Sequence, residues 1–160
     1  MKKGLYSLLF PVLILMTAAW ACSSSTANLT GVNTGKDKDI TQAASTFKAG
    51  DTIYAAVPVA NNPGKVTVKV YITVDDAPGM TKGSTIPNSE VSMQLDGDGT
   101  VKYNYPTLAT TKGGKFNIVA DMLDPNGDKK DTKSASIVVQ AGSSSSSAPT
   151  DNKSGDKDDD

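Results

Sequence analysis

The residue types that most often do chemistry are scarce in this chain. It has no histidine, one cysteine (Cys22), one glutamate (Glu90), and 16 lysines with no arginine. Without an imidazole the commonest general base and the commonest metal ligand are missing. A Ser-His-Asp nucleophile cannot be assembled. Serines and lysines are plentiful, but between Thr46 and Ala141 no S-x-x-K spacing marks a Ser-Lys pair. Paired carboxylates can cleave glycosides, yet Glu90 stands alone and most aspartates sit in glycine-rich turns, where they serve backbone geometry. A single cysteine excludes a disulfide framework and a cysteine-rich zinc site. A small hydrolase is therefore only a remote alternative.

What remains is binding. Asp96 and Asp98 in D-G-D-G, and Asp124 and Asp128 in D-P-N-G-D, offer the oxygen ligands that calcium takes six to eight at a time. Neither turn is a complete calcium loop. Counting from Asp96, the twelfth residue is Thr107 where an EF-hand needs glutamate, and Lys129 and Lys130 oppose a cation beside the second turn. Turn geometry alone accounts for these residues, so no cofactor is expected beyond a weak calcium site. Tyr54 and Tyr71 stand out differently. Both lie on the less apolar phase of alternating segments, and an exposed tyrosine pair suits contact with a glycan or a protein. The longest connection, Asp75 to Ser89, carries Pro78, Gly79, Met80 and Pro87 and is a candidate recognition loop.

The elements that must position these residues are strands. Lys65 to Val74 reads KVTVKVYITV, with Val66, Val68, Val70, Ile72 and Val74 on one face. That is the period of a half-buried strand. The same alternation runs through Ile53, Ala55, Val57 and Val59; Val91, Met93 and Leu95; Val101, Tyr103 and Tyr105; Phe116, Ile118, Ala120 and Met122; and Ala135, Ile137 and Val139. Turn signals such as Asn61-Asn62-Pro63-Gly64 and Asp124-Pro125-Asn126-Gly127 separate the runs. Apolar residues nowhere keep helical spacing for three turns. Six strands, with a first edge strand near Ile40, predict an all-β antiparallel sandwich over 46–141. A chain from Ile40 to Ala141 would hold every alternating strand.

The flanks differ. Residues 1–21 begin Met1-Lys2-Lys3, run without charge from Gly4, and end Ala18-Ala19-Trp20-Ala21, the plan of a secretory signal. Removing Lys2 and Lys3 with that segment leaves 14 lysines against 17 acids, a net of −3. No basic field remains, so nucleic acid is not an expected partner. Residues 22–45 are small and polar and read as a flexible tether. Residues 142–160 are serine-rich, hold five aspartates against two lysines, and read as a disordered tail. For Cys22, ordinary cleavage leaving a free thiol and an uncleaved membrane helix stay open on the residues alone.

Small-x-small-Cys at Ala19 to Cys22 resembles the lipobox of bacterial lipoproteins, with Ala19 where leucine is usual and Trp20 where a small residue is usual. The resemblance implies diacylglyceryl transfer to the Cys22 sulfur, cleavage before it, and a membrane partner held by lipid. Ser23, rather than aspartate, implies the outer membrane or the cell surface. The block from Phe47 to Gln140 resembles bacterial immunoglobulin-like or fibronectin type III-like domains, above all in GKFNIVADMLDPNGDKK followed by SASIVVQ. It lacks the inner Trp and cysteine pair of antibody domains. That resemblance implies a sandwich of about seven strands and a surface role without chemistry. The expected function is a non-enzymatic binding or scaffolding module for an envelope protein or glycan, with a carbohydrate-binding or adhesive module as alternative.

Overall fold

The computed structural model describes residues 26–108 and 111–142. They form nine strands: β1 (Asn28–Leu29), β2 (Asn33–Gly35), β3 (Thr46–Lys48), β4 (Thr52–Ala60), β5 (Lys65–Asp76), β6 (Val91–Asp96), β7 (Gly99–Pro106), β8 (Gly114–Leu123) and β9 (Lys129–Gln140). In one sheet β4 carries β7 on one side and β1 and β2 on the other; the second sheet runs β3-β9-β8-β5-β6. All pairings are antiparallel except β3 with β9. The protein is an all-β sandwich of the immunoglobulin-like class.

Strand β5 shows why. Its apolar phase, Val66 to Val74, is buried throughout, while Thr67, Lys69, Tyr71 and Thr73 are half-buried on the outside. Ile53, Ala55, Val57 and Val59 of β4 and Val101 and Tyr103 of β7 face it across the core, and Phe116, Ile118, Met122, Ile137 and Val139 of its own sheet extend the apolar layer. Burying such side chains contributes about 1.5–3 kcal/mol each. Tyr103 also satisfies its polar end: its hydroxyl donates to the Ser89 carbonyl at 2.8 Å, and burial pushes its pKa up.

Three features differ from the sequence expectation. The sandwich starts near Ala27, so the segment 22–45 is not all tether. Leu29 is 1 % exposed, and β1 and β2 pair with β4. Two or three residues per strand are too few to show a period, which is why composition reads as linker. Ile40 is no edge strand but sits at φ 56 in a turn built around Asp37. The Asp37 carboxylate accepts the backbone N–H groups of Gln42, Thr41 and Asp39, and those bonds lower its pKa to about 2. Third, Val91 and Met93 hold the inward phase of β6 yet are 41 % and 39 % exposed. β6 is the edge of its sheet, and alternation sets phase without guaranteeing cover.

The registers define two poles. At the base lie the Asn61–Gly64 turn, the β6–β7 turn and the β8–β9 turn. At the crown lie the starts of β4 and β8 and the ends of β5, β7 and β9. The chain arrives at the base, where the Thr26 hydroxyl donates to the Asn61 carbonyl at 3.0 Å. It leaves at the crown, where the Gly142 N–H donates to the Thr111 carbonyl at 3.3 Å.

Candidate functional site

At the crown the space between the two sheets is not filled. A cleft of about 170 Å³ opens there. One wall is Ile53 and Tyr105 from β4 and β7; the other is Ile72, Phe116, Ile137 and Val139 from β5, β8 and β9. These positions belong to the same alternating phases that make the core, so the cleft is the core's unclosed end. Its rim comes from two connections. Met80 and Ile86 stand on the segment after β5, and Leu108 and Thr111 on the segment after β7. Residues 109 and 110 between them lie outside the described part.

The segment after β5 is held, not free. The Val74 N–H donates to the Ser84 carbonyl, the Gly83 N–H to the Val74 carbonyl, and the Ile86 N–H to the Ile72 carbonyl. Ser89, 1 % exposed, accepts the Ile72 N–H at 3.1 Å and donates to the Ile86 carbonyl at 2.7 Å. This fixes Ile86 over the cleft and leaves Met80 and Leu108 outermost, 52 % and 72 % exposed. The backbone is equally constrained under the rim. Gly113 has φ 80, and a Cβ there would lie 2.7 Å from the Ala141 nitrogen.

Polar groups in the cleft are few. Thr107 is spoken for, its hydroxyl donating to the Asp51 carbonyl at 2.8 Å and accepting the Gly50 N–H at 2.9 Å. The Tyr105 and Thr111 hydroxyls have no side-chain hydrogen bond among the described residues. Leu108, Thr111 and Met80 also border a neighbouring depression that includes Lys112. Beside it, Lys82 pairs with Asp75 at 2.8 Å, and that hydrogen bond draws the Asp75 carboxyl below its usual range.

The residues singled out from sequence lie elsewhere. Tyr54 and Tyr71 do face outward, but on different sheets and so on opposite sides of the sandwich. They make no pair, because alternation reveals a strand's phase and not its sheet. Tyr71 is further committed. Its hydroxyl donates to Asp121 Oδ2 at 3.1 Å, Lys129 Nζ reaches the same oxygen at 2.7 Å, and the Thr132 hydroxyl donates to Oδ1 at 2.7 Å. Burial would raise the Asp121 pKa, but the bonds from Lys129, Thr132 and Tyr71 outweigh it and hold the carboxyl low. Burial, then the bond to Asp121, raises the pKa of Tyr71.

The four turn aspartates all lie at the base, but they do not converge. No group of three or more His, Cys, Asp or Glu able to hold a metal ion occurs among the described residues. Asp98 accepts the Asn62 N–H at 2.7 Å. Asp124 accepts the N–H groups of Asn126 and Asp128 and pairs with Lys130 at 3.1 Å, while Asp128 lies 3.8 Å from the same amine. Asp96 is exposed opposite Lys65. Asp124 thus serves its own turn and Asp98 the backbone of the neighbouring Asn61–Gly64 turn. Cys22 lies outside the described residues.

Sequence reasoning missed the crown cleft. Its one legible sign is that Met80, Ile86 and Leu108 are large apolar residues placed in connections otherwise made mostly of small and polar ones.

No family model matches the chain, and no curated protein matches it. Among solved structures, it is similar to a Niemann-Pick type C2 protein from Japanese carpenter ant, at 10% identity and a TM-score of 0.43 over 74% of this chain and 96% of that one. It is similar to AvmM, described as catalysing macrocyclization in alchivemycin A biosynthesis, at 13% identity and a TM-score of 0.39 over 74% and 92%. It is also similar to a chain of a complex between a CaDoc0917 variant and CaCohA2, at 15% identity and a TM-score of 0.31 over 72% and 99%. These likenesses are too distant to bear on function.

Proposed function

We propose that this chain is an exported, lipid-anchored binding module of the cell envelope that takes an apolar group into the crown cleft and does no covalent chemistry there. The observation that carries it is the cleft itself: about 170 Å³ between two sheets, walled by Ile53, Ile72, Phe116, Ile137 and Val139. An engineered apolar cavity of about 150 Å³ stays dry and binds benzene, so a space of this kind gains by filling. The absence of histidine from the whole chain and the near-absence of polar groups from the cleft support binding over catalysis. Export and anchoring rest on the sequence from Met1 to Cys22, and the outer membrane on Ser23.

Two measurements test it. n-Decanol titrated into the full chain is expected to shift the methyl signals of Ile53, Ile72 and Ile137 and to leave Val59 and Val66, at the base, unmoved. If no crown methyl responds, the cleft is only a packing defect. For the anchor, Cys22→Ser is expected to move the protein from the detergent phase to the aqueous phase on partitioning, since stable attachment needs two acyl chains. A cleaved Cys22→Ser protein that partitions like the wild type would refute lipidation.

One observation favours a second reading, docking of a protein strand along β6. Among the described residues that edge has no further strand, and Val91 and Met93 beside it are exposed. The glycan reading loses the tyrosine pair on which it stood.

A further inference from the structure

We infer that the ligand of the crown cleft is a single-chain amphiphile with an anionic head, its alkyl end inside and its head at Lys112. The inference rests on the binding reading above and adds the ligand's class. Volume sets the first part. At about 170 Å³ the cleft accepts one short run of alkyl chain and not a bulky fused ring system, and its apolar floor of Ile53, Ile72 and Ile137 offers nothing to a polar group. The rest of a chain must lie outside, and the structure provides for it. The neighbouring depression shares Met80, Leu108, Thr111 and Phe116 with the cleft, so the two form one continuous apolar path.

Charge sets the second part. That path ends beside Lys112, which is exposed and has no ion pair among the described residues. Of the other charges at this pole, Lys82 pairs with Asp75, and Asp51 lies 3.9 Å from Lys36 and accepts the Lys48 N–H. Lys48 and Lys115, the latter opposite Asp76 in the ladder, do not line the path. Among the described residues Lys112 is therefore the one cation lining the path, and it stands where the path meets water. The hydroxyls of Tyr105 and Thr111 along the path have no hydrogen bond among the described residues and can donate to an oxygen-rich head.

The test compares three ten-carbon probes on the full chain by titration calorimetry, decanoate, n-decanol and decyltrimethylammonium, the two ions below their micelle concentrations and the alcohol below its solubility limit. Decanoate is expected to bind at least about fivefold tighter than the ammonium probe, the scale of one charge contact at about 4 Å fully exposed to water. The preference should shrink in 1 M salt. Lys112→Glu, at an exposed position that leaves the core alone, should invert it. Leu108→Asp and Met80→Asp, also exposed, should weaken all three probes. Equal binding of the three probes, or a preference that Lys112→Glu does not change, overturns the anionic head and leaves the binding reading standing. If none of the three binds, both fall.

Discussion

Val70→Asp is expected to unfold the domain at neutral pH, while Thr67→Asp, three residues earlier on the same strand, leaves it folded. Val70 is 0 % exposed and lies between Val91 and Ala120 in the ladder. An aspartate there finds no cation on the core side of the sheet. To stay buried at pH 7 it must take a proton, which from an ordinary pKa near 4 costs about 4 kcal/mol. Losing the valine's burial adds about 1.5–3 kcal/mol. Together these approach or exceed the stability of a typical domain, about 5–15 kcal/mol. Thr67 points outward and is only half-buried, so its replacement should cost less than about 1 kcal/mol. Urea midpoints of the two variants decide the matter: a larger loss at Thr67 would mean that the sheet's inner and outer faces are exchanged, and equal losses would refute the assignment of faces.

Leu29→Ala is expected to be among the most damaging changes outside the long strands, at about 2–5 kcal/mol. Leu29 belongs to a strand of two residues, yet it is 1 % exposed in the core. Its N–H donates to Asp131 Oδ2 at 2.8 Å, tying the first strand to the last across the chain. Leu108→Ala, at a position 72 % exposed, is the control and should stay within about 0.5 kcal/mol. Similar thermal melts for the two variants would remove the N-terminal segment from the core. The same physics means that a chain begun at Ile40 lacks part of its core and should melt earlier than one begun at Thr26.

The long strands were readable because period two is a direct consequence of one buried and one open face. β4, β5, β7 and β8 bury the phase that alternation assigns them. β1, β2 and β3 were not readable, since Leu29 and Phe47 are single apolar residues among small polar ones and only tertiary pairing gives them a place. Phe47, 0 % exposed on a three-residue parallel strand, is held by β9, at the far end of the domain's sequence. The cleft was hidden for the same reason. Its walls come from five strands, and no local pattern records that two sheets leave a gap where their ends meet. Tyr54 and Tyr71 show the opposite case, a correct phase for each strand and no information on which sheet each one joins.

The arrival of the chain at the base and its departure at the crown give the molecule a direction. The two poles are separated by the nine residues of β4, about 30 Å of strand. With Cys22 as the lipid-bearing residue, only residues 22–25 lie between the acyl chains and the folded part, a reach of about 14 Å at full extension. On that proposal the base would rest near the bilayer that holds the anchor, and the cleft would look away from it. Such a module would draw its cargo from the far side, from the aqueous space or an opposing surface, and not from the leaflet in which it is planted.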